Sequence, residues 1–173
     1  MPSNIHMKPM EAKILDLLPL LRRYSRSLSD NTPDAEDLLQ DSLAAALASQ
    51  GSWRGRNLKS WLMTIMTNQN RNRRRRVRNA PGFTNMEYAD TIATENPQSD
   101  PLERDRLQAA INLLSDENRS VLMLVVVEGY SYAEVADILS IPLGTVMSRL
   151  SRARKKVADT LEGKNIVALR KPI

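Results

Sequence analysis

Residues 131–156, SYAEVADILSIPLGTVMSRLSRARKK, set hydroxyl and guanidinium side chains at the spacings of an exposed helix face. That chemistry suits a polyanion. Arginine can fork to guanine O6 and N7, and serine can reach base edges or phosphates. Ser148, Arg149, Ser151 and Arg152 are therefore candidate base readers. Arg154, Lys155 and Lys156 suit phosphate contacts or the negative end of a helix. A second stretch, residues 53–78, reads WRGRNLKSWLMTIMTNQNRNRRRRVR. It joins an Arg-Gly loop, two tryptophans and a polar-basic helix face. Cations of this kind serve phosphates, and aromatic faces serve unstacked bases. Trp61 falls on the apolar stripe of its helix and reads as core, whereas Trp53 lies off that stripe beside the loop.

Positioning these groups requires helices. Ser131 and Glu134 form a capping box. Ala136 is small where two helices must cross, and a turn at Ser140-Ile141 leads to Pro142 and a long last helix through Leu161. Val146 and Leu150, four apart, anchor that helix. Cap, small residue, turn and proline in this order are the helix-turn-helix pattern. Upstream, Leu58, Trp61, Leu62, Ile65 and Met66 keep helical spacing without a break, so a helix should start after Asn57 and run into the arginines.

Earlier still, Ile14, Leu17, Leu18, Leu21 and Leu28 predict an amphipathic helix, with Pro19 expected to kink it or shift its start. Thr32-Pro33 reads as cap and first residue of the next helix, and Gly51 as its end. Leu38, Leu39, Leu43, Ala46 and Leu47 form its apolar face. Residues 80–100, broken by Pro81, Gly82 and Pro97, read as a linker. Beyond it, Leu107, Ala110, Ile111 and Leu114 mark a short helix. Ser115 caps the next, which carries VLMLVVV and ends at Gly129. The expected fold is all-α.

Charge and composition narrow the function. Residues 51–80 carry 9 basic and no acidic groups, residues 81–117 carry 2 and 8, and residues 141–173 carry 8 and 2. Two basic blocks on either side of an acidic one point to two surfaces that meet a polyanion. Cysteine is absent and His6 is the one histidine. Disulfides, thiolate metal sites and histidine-based catalysis are thereby excluded. There is no Gly-rich phosphate loop or nucleophile triad either, so we expect no enzyme, metal or cofactor. Neither a membrane-spanning run nor a signal-peptide core is visible, so the expected compartment is the cytoplasm.

The order DAEDLLQDSLAAAL, WRGRNLKSWLMTIMTNQNR, LSDENRSVLMLVVVEGYSYAEVADILSIPLGTVMSRLSRARKK resembles a bacterial extracytoplasmic-function (ECF) sigma factor over about residues 10–161. The resemblance implies two small helical domains. These are a sigma-2 bundle at 10–79 and a sigma-4 helix-turn-helix domain at 102–161, with a flexible acidic linker at 80–101 and a tail at 162–173. It implies binding to core RNA polymerase, through the β′ clamp helices and the β flap, and direction of the enzyme to promoter DNA.

Carried over by position, Asp37, Leu38, Gln40 and Asp41 match the segment that grips the clamp helices. Trp53, Arg54, Arg56, Asn57, Lys59, Asn68 and Arg71 match the region that captures an unstacked −10 base. Ser148, Arg149, Ser151, Arg152, Arg154 and Lys155 match the −35 helix, implying a GGAA-like element. The sequence departs from the family pattern at Ser140, where glycine is common, at Met147, where a basic residue is common, and in a slightly shorter base-capturing loop.

An anti-sigma factor is the expected silencing partner, with Leu38, Leu39 and the VLMLVVV face as candidate contacts. Similarity is greatest to the alphaproteobacterial general-stress branch, where a small helical anti-sigma factor is removed by a response regulator with a sigma-like domain. On the residues alone, a helix-turn-helix repressor and a sigma mimic that binds only the anti-sigma factor stay open. The repressor would need a dimer or sensor module that residues 1–80 do not offer. A mimic would not need the phosphate-binding arginines.

Overall fold

Short polar residues and prolines start each helix, and leucines fix which side is buried. The computed structural model describes residues 9–79 and 100–163. Its helices are α1 (Pro9–Leu28), α2 (Thr32–Ala48), α3 (Leu58–Arg78), α4 (Pro101–Asn112), α5 (Asp116–Leu122), α6 (Tyr132–Leu139) and α7 (Leu143–Leu161). There is no strand among the described residues. The expected linker lies almost wholly outside them, as does most of the tail.

Local details differ from the sequence reading in three places. Pro19 neither ends α1 nor sets its start; it sits exposed within an otherwise continuous 20-residue helix. The cap of α2 is Asn31, not Thr32: its Oδ1 accepts from the Asp34 N–H at 2.8 Å. Pro33 is then the second helical residue, where no intrahelical donor is needed. Finally, α2 ends at Ala48, and Gly51 falls inside a one-turn 3₁₀ segment, Gln50–Ser52, that follows it. The caps at Ser115 and Asn57 and the Ser131–Glu134 capping box are present.

Helices α1–α3 pack around Leu21, Tyr24, Leu28, Leu38, Met63 and Met66, all at most 1% exposed. Tyr24 bonds Thr67 Oγ1 at 2.8 Å inside this core. Burial raises its pKa, so the hydroxyl stays neutral. Helices α4–α7 pack around Val121, Leu124, Val135, Val146 and Leu150. After Leu122 the chain widens into a π turn, Met123–Val127, and Gly129 at φ +72° lets it reverse toward α6.

The two bundles are joined by polar contacts, of which that of Arg119 is the most deeply buried. The Arg119 guanidinium of α5 is 1% exposed by residue and enters the corner between α1 and α2. It donates to the carbonyls of Ser27 and Ser29 at 2.7 Å each and to Asp30 Oδ1 at 2.6 Å. Carbonyls at a helix C-terminus lack intrahelical donors, so this arginine satisfies groups that the turn leaves open. Arg74 of α3 bridges Asp30 at 3.0 Å and Asp116 at 3.1 Å. On the other side of α1, Arg23 forks onto the buried Glu128 carboxylate at 3.1 and 2.6 Å. That hydrogen bond raises the Arg23 pKa further.

Candidate nucleic-acid interface

The loop before α3 is held by its own backbone. Gly55 takes φ +77°, and the Trp53 Nε1–H donates to the Arg56 carbonyl at 2.8 Å, closing a tight turn. Asn57 adopts φ +35°, and its Oδ1 accepts from the Ser60 N–H at 3.1 Å. Asparagine tolerates this left-handed conformation because its side chain bonds locally. Arg54, Arg56 and Asn57 are left exposed, and Trp53 is half-buried with one edge toward the loop. A structured loop with three exposed polar or cationic groups and an aromatic ring can receive a base without prior ordering.

Along α3, Trp61, Thr64, Asn68, Arg71 and Arg75 recur at steps of three and four and form one face. Asn68 accepts from Arg71 Nη2 at 3.0 Å. The arginine run divides by its acidic partners. Arg73 pairs with Asp34 and Asp37, Arg74 with Asp30 and Asp116, and Arg78 with Asp116. Arg71, Arg75 and Arg76 are exposed outward. Part of the run thus holds the fold, and part is available to phosphates. Lys59 belongs to neither group. Its ammonium lies 4.5 Å from the ring centroid of Tyr130, a cation–π contact across the two bundles.

A groove of about 300 Å³ runs between the bundles beside the loop. Arg56, Asn57, Trp61 and Thr64 line one wall, and Glu134, Asp137 and Ile138 of α6 the other. The acidic wall thus faces the loop and the polar face of α3.

In the helix-turn-helix unit, Ser140 occupies the left-handed region at φ +53°, the conformation for which glycine is favoured. Pro142 is the extended cap residue, and α7 starts at Leu143. Val146, Leu150 and Ala153 are buried, which turns Ser151, Arg152, Arg154 and Lys155 outward. Ser148 and Arg149 are half-buried on the edges of that face. The Ser148 hydroxyl donates to the Thr145 carbonyl at 3.1 Å, so toward a base it offers lone pairs and not a free proton.

On α2, Asp37, Gln40 and Asp41 share an exposed face. Leu38 does not join them. It is 1% exposed and points into the α1–α3 core, because its phase matches Ala35, Leu39, Ser42 and Ala46. The placement of Leu38 with the clamp-gripping residues is corrected accordingly. Leu39, at 3% exposed, is likewise core, and of the VLMLVVV run only Val126 and Val127 are exposed. The sequence reading missed Arg119 altogether. Its sole sequence signal was a lone arginine on a helix otherwise turned toward the core.

Comparison with known proteins agrees with this geometry. The Sigma-70 region 2 model matches residues 14–80, and the Sigma-70, region 4 model matches residues 104–157. ECF RNA polymerase sigma factor EcfG of Rhodopseudomonas palustris (strain TIE-1) is 39% identical over 153 residues, covering 86% of this chain and 82% of the relative. ECF RNA polymerase sigma factor SigM of Mycobacterium tuberculosis is 34% identical over 142 residues, covering 82% of this chain and 71% of the relative.

Among solved structures, the sigma factor RpoE in complex with the anti-sigma factor NepR from Bartonella quintana aligns at TM-score 0.72 and 36% identity. That alignment covers 90% of this chain and 98% of the other. CnrH in complex with the cytosolic domain of CnrY aligns at TM-score 0.64 and 24% identity, over 89% and 88%, and shares the fold. With both sigma regions in order on an all-helical frame, and no enzymatic chemistry in the family, this chain belongs to the ECF RNA polymerase sigma factors.

Proposed function

We propose that this sigma factor joins core RNA polymerase through the exposed Asp37, Gln40 and Asp41 face of α2, and through its sigma-4 bundle to the β flap. The carboxylates steer a basic partner helix, and the neighbouring leucines support α2 from below. Trp53, Arg54, Arg56, Asn57, Asn68 and Arg71 then hold the opened −10 strand, while Ser151, Arg152, Arg154 and Lys155, flanked by Ser148 and Arg149, read the −35 duplex. Extruding a base from the stack costs a few kcal/mol, and a loop already ordered by its own hydrogen bonds offsets part of that cost. Lys59 enters the DNA contact only after its cation–π contact to Tyr130 is released. The domain limits we propose are 10–79 and 102–161, acting in the cytoplasm.

One observation carries the regulatory part. The wall formed by Glu134 and Asp137 stands across the groove from Asn57, Trp61 and Thr64. Promoter strand cannot enter there until α6 withdraws. The closed arrangement is thus the silent one, and a small anti-sigma protein would stabilise it. The likeness to RpoE bound to NepR over nearly the whole chain supports this reading and a general-stress role.

Labelled chain titrated with sigma-free core enzyme tests the proposal. Saturable binding that weakens in Asp41→Ala and Gln40→Ala, with unchanged folding, is expected. Binding that ignores both substitutions would place the interface elsewhere.

A further inference from the structure

Met147 is 54% exposed in the first half of α7, a large apolar side chain just ahead of the exposed Ser151, Arg152, Arg154, Lys155 and Lys156. It is not alone. Tyr132, at the first turn of α6, is 36% exposed, and Leu143, one turn before Met147, is 49% exposed. Met147 and Tyr132 line a recess of about 240 Å³, whose floor is the buried Leu150 and whose rim is Ser151 and Arg154. Between Leu143 and Ala158, α7 has no acidic residue, so the α7 side of the recess carries cations and no carboxylate.

A cationic face draws a polyanion, and the first half of a reading helix meets base edges in the major groove. The apolar feature that duplex DNA presents there is the C5-methyl of thymine, which cytosine lacks. Methionine is unbranched and polarizable and fits itself to such a group. Ser151 and Arg154 on the rim would meanwhile bond the neighbouring base edge or phosphate.

We propose that Met147 and Tyr132 form a thymine-methyl reader in the −35 element. This rests on the reading of α7 as the −35 helix and adds a specificity determinant to it. Met147 then contributes an apolar contact to the choice of base beside the charged contacts of its neighbours.

The test uses holoenzyme assembled from core polymerase and the full chain. Duplexes selected by that holoenzyme from a randomised −35 library are remade with each thymine replaced in turn by deoxyuridine, which removes only the methyl. At one position deoxyuridine should weaken wild-type binding about fourfold, the factor for losing one buried methyl-sized group. Met147→Ala should bind the thymine duplex as weakly as wild type binds the deoxyuridine one, with no further loss on deoxyuridine, and Met147→Leu should restore the difference.

Insensitivity to deoxyuridine at every position, with selection still lost in Arg152→Ala, would overturn the methyl reader while leaving the −35 assignment intact. Weakened capture of an anti-sigma factor by Met147→Ala, with DNA binding untouched, would overturn it too and make the recess a protein-docking surface. Selection of no −35 sequence at all would remove the underlying assignment, and the proposal with it.

Discussion

Arg119 and Asp30 lie 89 residues apart in sequence and meet at 2.6 Å between the two sigma bundles. The arginine is buried while the aspartate keeps contact with solvent, so the pair is asymmetric. Loss of Asp30 leaves a desolvated cation that still has two carbonyl acceptors. Loss of Arg119 leaves those carbonyls open. Breaking a buried pair from one side costs about 3–5 kcal/mol, and the partial exposure of Asp30 puts this case at the lower end. Arg119→Ala should therefore destabilise the closed form by about 3 kcal/mol. Labels on α2 and α7 should then move apart in a resonance-energy-transfer measurement. Unchanged transfer efficiency would show that other contacts hold the closed arrangement.

Asp30 gives that junction a pH dependence. Burial opposes its charged form, but Arg74 and Arg119 outweigh the burial, and its pKa falls below 3.8. A depressed carboxyl stabilises the fold above its unfolded value and loses that contribution as pH falls through the folded value. Asp116 has the opposite shift, since burial outweighs Arg74 and Arg78 and raises its pKa above 3.8. Its contribution is present at low pH and is lost as pH rises through the folded value. Melting curves between pH 3 and 6 should therefore show Asp30→Asn flattening the acid limb below about pH 4 and Asp116→Asn steepening the net loss toward acid. Parallel wild-type and Asp30→Asn profiles would contradict this assignment.

Leu38 and Asp41 are three residues apart and should fail differently. Leu38→Ala empties a core site and should cost about 2–5 kcal/mol of stability by urea unfolding. Asp41→Ala changes an exposed group and should stay within about 0.5 kcal/mol of wild type while weakening core-polymerase binding. Equal stability losses in the two variants would be inconsistent with the burial described for Leu38.

Trp53→Phe keeps an aromatic face but removes the Nε1–H bond to the Arg56 carbonyl. A single such bond is worth about 0.5–1.5 kcal/mol, enough to loosen the loop without unfolding α3. Permanganate reactivity of −10 thymines in the open complex should fall relative to wild type, while binding to core enzyme is retained. Unaltered reactivity would mean that the loop is ordered by other contacts.

Helix boundaries were legible because caps and apolar stripes are local. The Ser131–Glu134 box and the Val146–Leu150 anchor depend on residues within one or two turns. The cap at Asn31 was less legible, because no residue of the first turn needs its N–H, so Pro33 is compatible with a cap at either Asn31 or Thr32. The resemblance carries Leu38 to the polymerase surface with Asp37 and Asp41, whereas its periodicity places it on the apolar face of α2, where it is buried. The arginine run looked uniform as a string. Only the acids arriving from α2, the α1–α2 corner and α5 separate Arg73, Arg74 and Arg78 from Arg71, Arg75 and Arg76. The docking of the bundles through Arg119, Arg74 and Arg23 has no local signature, since each partner is supplied from a distant helix.

Arg152 is exposed on the outer face of α7. Arg152→Ala should cost about 1–3 kcal/mol on the correct −35 element if the guanidinium forks to a base. An equal loss on scrambled duplex would reduce its role to a phosphate contact.

Run-off transcription with sigma-free core polymerase on a promoter library, with and without this chain, tests the central claim most directly. The account predicts discrete transcripts that need the chain, share a −35 element and disappear in Arg152→Ala. An active core enzyme from the matching host that yields no chain-dependent transcript with folded protein would contradict it.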